Sequence, residues 1–185
     1  MAKYFPLFYN IEDKKFIIIG ENKKALEKAQ RLKSFNIKPI FVKTKLKNEE
    51  AFLNEQRPDI LIVADESLAD VKKLFALCVE RKIPINTVDN KKFCTFIFPA
   101  MVCTENLTVA ISTNGKSPAT AVKIKKEVEK IIPSSIDEIS ERLSELRTTV
   151  KNADTYKAIV DESFKKGRPL TRDEIEKFLH KENEI

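Results

Sequence analysis

The sequence predicts an α/β fold, a parallel sheet flanked by helices, followed by a hairpin and a helical tail. Three observations predict it. Short apolar runs alternate with amphipathic helical stripes through residue 88. Two further strand patterns then stand back to back, separated only by Glu105-Asn106. After Ser117-Pro118 only helical patterns remain.

Residues 15–20 (Lys-Phe-Ile-Ile-Ile-Gly) form a continuous apolar run ended by glycine, the mark of a strand buried on both faces. Residues 23–35 carry Ala25, Ala29, Leu32 and Phe35 on one helical stripe. Residues 39–42 read as a second strand, and 48–55 as a short helix capped by Asn48. Residues 60–64 are a third buried strand. A helix over 69–82 presents Val71, Leu74, Phe75, Cys78 and Val79, and 85–88 make a fourth strand. This alternation is Rossmann-like. Residues 96–104 and 107–113 read as an antiparallel hairpin. Ser117 caps a helix that runs to about residue 132. Ser135 with Glu138, and Thr171 with Glu174, have capping-box spacing for two later helices. In the first of these, Ile136, Ile139, Leu143, Leu146 and Val150 form one narrow stripe, which packs either internally or against a second subunit. Gly167-Arg168-Pro169 reads as a linker.

Composition narrows the function classes. The chain has 185 residues, 42% hydrophobic and 34% charged, which suits a modest core under a well-solvated surface. No apolar run reaches membrane-spanning length and the start lacks a signal-peptide layout, so the expected location is cytoplasmic. Cys78, Cys94 and Cys103 have no CxxC spacing, and the lone histidine, His180, lies in the charged tail. No metal site, disulfide framework or Ser-His-Asp chemistry is expected from that set. Residues 1–118 hold 20 Lys/Arg against 14 Asp/Glu, the whole of the +6 net charge, while the rest is balanced. The excess attracts an anionic partner or simply aids solubility. No aromatic-plus-basic motif points to nucleic acid.

The chemistry-bearing residues fall at the ends of these strands. Gly20-Glu21-Asn22-Lys23-Lys24-Ala25 stands where a dinucleotide fold has Gly-x-Gly-x-x-Gly/Ala. Gly20 and Ala25 fit its first and third positions. Asn22 takes the second, where its side chain crowds a phosphate; asparagine's tolerance of positive φ keeps the turn available. Glu21 adds a negative charge, which Lys23 and Lys24 can offset. Lys43, at the end of the second strand, either suits a ribose 2′-phosphate or is a solvated lysine. Asp89 ends the fourth strand, as a proton acceptor or as a turn cap. Ser112, Thr113, Lys116 and Ser117 line the turn before the next helix. Ser117 is primarily its cap, Ser112 and Thr113 either bind substrate or pair at the sheet end, and Lys116 either meets a carboxylate or faces water.

Taken together, these segments resemble the precorrin-2 dehydrogenase and sirohydrochlorin ferrochelatase family, of the siroheme synthase N-terminal type. The resemblance rests on Tyr4-Phe5-Pro6-Leu7-Phe8, on Gly20 to Ala25 with Lys28-Ala29, and on Asn86-Thr87-Val88-Asp89. It extends to Phe96-Ile97-Phe98-Pro99-Ala100, Ala110-Ile111-Ser112-Thr113 and Gly115-Lys116-Ser117-Pro118-Ala119, covering roughly residues 3 to 132. It implies a Rossmann-like NAD-binding domain over 1–98, a dimerisation region over 99–133 and a helical domain over 134–185. It implies dehydrogenation of precorrin-2 to sirohydrochlorin with NAD as hydride acceptor, NADP remaining open, and in some members insertion of ferrous iron. The catalytic aspartate of the family falls on Asp89. Cofactor binding falls on Gly20, Glu21, Asn22, Lys23, Ala25, Lys43 and Ala64, and substrate binding on Ser112, Thr113, Lys116 and Ser117. The implied partners are an anionic tetrapyrrole and a second copy of the chain, with neither nucleic acid nor membrane. No protein metal ligands are needed, because the macrocycle supplies four nitrogens.

The chain departs from the family pattern at two places. Close relatives have three glycines where Gly20-Glu21-Asn22 stands, and Val63-Ala64-Asp65-Glu66 lacks the threonine expected near the cofactor. Both fall at the nucleotide site. The alternative reading is therefore a tetrapyrrole-binding or chelatase-only dimer that has lost dinucleotide binding.

Overall fold

The computed structural model describes residues 4–182. It divides into two compact units, one ending at Phe98 and one beginning at Pro99. In the first unit, β1 (Phe16–Ile19), β2 (Ile40–Val42), β3 (Ile60–Val63) and β4 (Ile85–Thr87) form a parallel sheet in the order β2-β1-β3-β4. Helices α1 (Lys23–Lys33), α2 (Glu49–Gln56) and α3 (Val71–Glu80) connect them. This is the Rossmann-like α/β arrangement. Every residue of β1 and β3 is buried, which explains their unbroken apolar runs. Period-two alternation then divides the core. Ile17, Ile19, Leu61, Val63 and Ile85 pack with Leu53 of α2 and Leu74 and Cys78 of α3. Phe16, Ile18, Ile60 and Ile62 face Ala25 and Leu32 of α1, joined by Phe96 and Phe98. Each fully buried Ile or Leu contributes about 1.5–3 kcal/mol.

In the second unit, β5 (Ala100–Cys103) and β6 (Thr108–Ile111) pair antiparallel, with Ala100 opposite Ile111 and Cys103 opposite Thr108. The Asp137 carboxylate accepts from the Thr104 hydroxyl at 2.6 Å and the Asn106 amide at 2.7 Å. It thereby ties the hairpin turn to the next helices. These are α4 (Pro118–Ile131), α5 (Ile136–Thr149), α6 (Ala153–Lys166) and α7 (Arg172–Glu182). The α5 stripe packs internally: Leu146 and Val150 meet Ile159, Leu170 and Ile175, with Leu143 and Phe178 alongside.

Three sequence expectations change. The first hairpin strand begins at Ala100 rather than 96, because residues 96–98 are used differently: the Asn86 side-chain amide donates to the Phe96 carbonyl at 3.0 Å, and both rings pack on the sheet. Ser135 does not cap α5, since its φ of −97° and ψ of 26° are not extended and its hydroxyl donates to the Gly167 carbonyl at 2.5 Å. Gly167 is not a loose linker. Its φ of 62° closes α6, with its amide and that of Arg168 donating to the carbonyls of Phe164 and Ser163. The Thr171 box forms as expected, Thr171 and Glu174 exchanging bonds at 2.8 and 3.4 Å.

Candidate functional site

The C-terminal ends of the parallel strands are where such sheets receive ligands, at the point where strand order reverses. Here β2 and β3 lie on opposite sides of β1, so the loop leaving β1 marks that point. Gly20 turns it with a φ of +120°, and a Cβ there would stand 3.0 Å from Asp65 Cβ. Only glycine allows that approach between the ends of β1 and β3.

Asn22 does not use a positive φ. Its φ is −69° and its ψ 176°, the extended geometry of an N-cap. Its side-chain oxygen accepts from the Ala25 amide at 3.0 Å, while its side-chain nitrogen donates to the Ala64 carbonyl at 2.9 Å. The side chain thus lies down between the ends of β1 and β3 instead of projecting into a ligand's path. The first amides of a helix lack intrahelical acceptors. Asn22 takes that of Ala25 and leaves those of Lys23 and Lys24 for an anion. Because Asn22 needs no glycine conformation, the loop fits a dinucleotide phosphate despite the altered motif. Ala25 is fully buried and lets α1 sit close to the sheet, and Ala64 is 7% exposed.

The charged residues pair in a way that sequence spacing conceals. Glu21 is not offset by its neighbours Lys23 and Lys24; its carboxylate meets Lys43 Nζ at 2.9 Å, joining the loop after β1 to the end of β2. Lys24 instead reaches the end of β4, where its Nζ lies 2.6 Å from Asp89 Oδ2. The Asp89 side chain is 70% exposed and its backbone is left-handed, with φ of 64°. The carboxylate beside it raises the Lys24 ammonium above its ordinary pKa.

Two buried polar residues hold Asp89 in place. Asn86 and Thr87 donate side-chain bonds to the carbonyls of Phe96 and Phe93, both at 3.0 Å. The Cys94 thiol donates to the Thr87 carbonyl at 3.2 Å. Next to Asp89, Asn90 donates to Glu66 at 3.0 Å, linking the loops after β3 and β4. Lys28, one turn along α1 from Lys24, rests over the Phe98 ring at 4.5 Å. Burial holds its ammonium below the ordinary value, helped by Arg31 and opposed by Asp89. Motif reading missed the Lys24–Asp89 pair and the Lys28 environment; the only sequence signal was the four-residue spacing of two lysines on α1.

The second unit engages the hydroxyl turn locally. Thr113 Oγ1 donates to the Ser117 carbonyl at 2.9 Å and accepts from the Ser117 amide at 3.0 Å. Ser112 Oγ accepts from the Asn114 amide at 3.0 Å, and Ser117 Oγ accepts from the Thr120 amide at 3.3 Å, capping α4. Lys116 is exposed. The three hydroxyls are therefore bonded within the turn, and the Lys116 ammonium is exposed.

Comparison with known proteins accords with this geometry. Residues 7–100, just over half of the chain, match the family model described as putative NAD(P)-binding. The chain belongs to this NAD(P)-binding family. Its cofactor class is accordingly a nicotinamide dinucleotide. Residues 105–131 match a second model, that of the sirohaem biosynthesis protein central region. The siroheme synthase of Psychrobacter arcticus is 30% identical over 165 residues, covering 80% of this chain and 30% of that protein. That of Thioalkalivibrio sulfidiphilus is 29% identical, covering 80% and 34%. The chain thus spans about a third of the length of these relatives. A solved precorrin-2 dehydrogenase superposes with a TM-score of 0.63 at 17% identity, over 98% of this chain and 100% of that one, and shows the same fold. The family relation agrees with the resemblance read from the motifs. Among the described residues no helix is long and apolar enough to cross a membrane, and no cluster of metal-ligating side chains is present.

Proposed function

We propose that this NAD(P)-binding protein dehydrogenates precorrin-2 to sirohydrochlorin in siroheme biosynthesis, with NAD as the acceptor. The observation that carries the reading is the exposed Asp89 carboxylate at the ligand-receiving edge of the sheet, held by Lys24 from the first turn of the nucleotide-loop helix. Bound dinucleotide supplies a hydride acceptor. Asp89 takes the proton that leaves with the hydride, and Lys24 holds its carboxylate at the strand end until then. Gly20 opens the loop to the cofactor phosphates, the Lys23 and Lys24 amides seat them, and Asn22 and Ala25 hold the loop in that shape. Glu21 occupies Lys43, which favours a bare ribose over a 2′-phosphate. Ser112, Thr113, Lys116 and Ser117 are the substrate-binding residues of the second unit. The basic excess of residues 1–118 suits a polycarboxylate macrocycle.

In this reading the protein works as a homodimer through residues 99–133, where α4 leaves Val122, Ile124 and Ile131 exposed. Iron insertion is a second step open to the same carboxylate, as base for the pyrrole protons. The dinucleotide-free alternative is favoured by one observation, the Ala25 amide already satisfied by Asn22.

The test is to mix protein, NAD and precorrin-2 and follow the sirohydrochlorin chromophore. Conversion by the wild type, lost in Asp89→Asn with the fold intact, is expected; asparagine keeps the left-handed turn available. Unchanged turnover in Asp89→Asn removes that carboxylate from the mechanism. Tetrapyrrole binding without conversion establishes the binding or chelatase reading instead, and addition of ferrous ion to sirohydrochlorin separates those two.

A further inference from the structure

Lys28 carries a charge that no carboxylate among the described residues pairs with directly. Its side chain is half-buried against the Phe98 ring, which is itself fixed on the sheet with Phe96 at 5.4 Å. Among the described residues it forms no ion pair. A cation drawn out of water loses hydration, and the face of one ring returns only part of it. Lys24 lies four residues earlier, on the same face of α1, with Asp89 as its partner. Lys24 thus holds the one carboxylate proposed as base, and Lys28 stands one turn further along, the lysine roots about 6 Å apart along the helix axis.

We infer that Lys28 and Lys24 form a two-cation seat for substrate carboxylates, in which a substrate carboxylate replaces Asp89 on Lys24 and leaves Asp89 free to accept the proton. The inference deepens the proposed function and rests on it. The exchange is one carboxylate for another, so the charge around Lys24 is conserved while the base is released. Lys28 receives a second carboxylate and so gains the ion pair that it does not form among the described residues. A dinucleotide phosphate is the poorer occupant. Its place is at the amides opening α1, whereas Lys28 stands more than a turn further along, above Phe98.

The experiment uses uroporphyrin, a stable polycarboxylate tetrapyrrole, as a binding probe read by fluorescence, beside turnover of precorrin-2. Lys28→Gln is expected to weaken probe binding about tenfold, the loss of one charge-assisted contact. Lys24→Gln should weaken it by about twofold to threefold, because that lysine must first release Asp89. Lys28→Arg should retain binding, and Lys33→Gln, at the far end of α1, should match the wild type. Salt dependence should be shallower in Lys28→Gln, and NAD affinity unchanged. Lys28→Met keeps the stem on the ring and replaces Lys28→Gln if the latter unfolds. Wild-type turnover with an unaltered KM in Lys28→Gln overturns the seat and spares the functional reading. Lys28-dependent probe binding without any conversion of precorrin-2 overturns the reading and spares the seat as a carboxylate site. Weakened NAD binding with unchanged probe binding assigns Lys28 to phosphate and overturns the inference.

Discussion

Asn22 and Ala64 are joined by a side-chain-to-backbone hydrogen bond of 2.9 Å, so the loop after β1 is pinned to the end of β3. The same asparagine caps α1. Asn22→Ala removes both bonds and should cost about 1 kcal/mol through the cap alone. Asn22→Gly should cost less in capping, yet it frees the Ala25 amide for pyrophosphate. Calorimetric titration should then show severalfold tighter NAD binding in Asn22→Gly than in the wild type. Weaker binding would mean that the asparagine itself contacts the cofactor.

Dinucleotide choice turns on a second loop-to-strand link. Lys43 stands where the adenine ribose is read in this fold, but Glu21 pairs with it at 2.9 Å. A 2′-phosphate must compete with that carboxylate. Glu21→Gln removes the competitor and should shift the NADP-to-NAD affinity ratio toward NADP by about fivefold to tenfold. Lys43→Ala in the same background should erase the gain. An unmoved ratio in Glu21→Gln would place the ribose elsewhere.

Gly20 tests the close approach directly. Any side chain there must hold a φ of +120° and meet Asp65 Cβ at 3.0 Å. Asp65 cannot easily retreat, because its carboxylate caps the following turn through the Ser67 amide at 3.0 Å and hydroxyl at 2.6 Å. The backbone strain alone is on the order of 1–3 kcal/mol. Gly20→Ala should therefore lower the denaturation midpoint clearly, and a midpoint equal to the wild type would contradict the geometry.

These cases show where sequence was sufficient. β1 and β3 were legible because burial on both faces leaves an apolar run with no competing period. Asn48, Ser117 and Thr171 were legible as caps because capping is local and spacing decides it. Asn22 falls at the second motif position in the sequence, but its bond to the Ala64 carbonyl needs a partner that only the folded sheet brings near. The same holds for charge. Chain proximity offers Lys23 and Lys24 to offset Glu21, whereas the parallel sheet sets Lys24 beside Asp89 and gives Glu21 to Lys43. Ser135 failed as a cap because its carbonyl partner, Gly167, lies across the helical unit.

The helical unit carries its own pH signature at Glu174. Its carboxylate accepts from Arg168 twice at 2.9 Å, from Lys166 at 2.6 Å and from the Thr171 amide at 2.8 Å. Those donors, Arg168 foremost, hold it far below the ordinary carboxylate range. Asp137 is likewise held down, by Thr104 and the Asn106 amide. A depressed folded-state pKa adds stability above the unfolded value, near pH 4.3 for glutamate, and that stability is lost as pH falls below it. Thermal melts followed by helix signal should therefore fall steeply between about pH 5 and pH 3. Glu174→Gln should melt lower at pH 7 and show a flatter acid limb, since its neutral amide loses nothing on acidification. Two curves that stay parallel down to pH 3 would remove Glu174 from the acid response and leave it to Asp137.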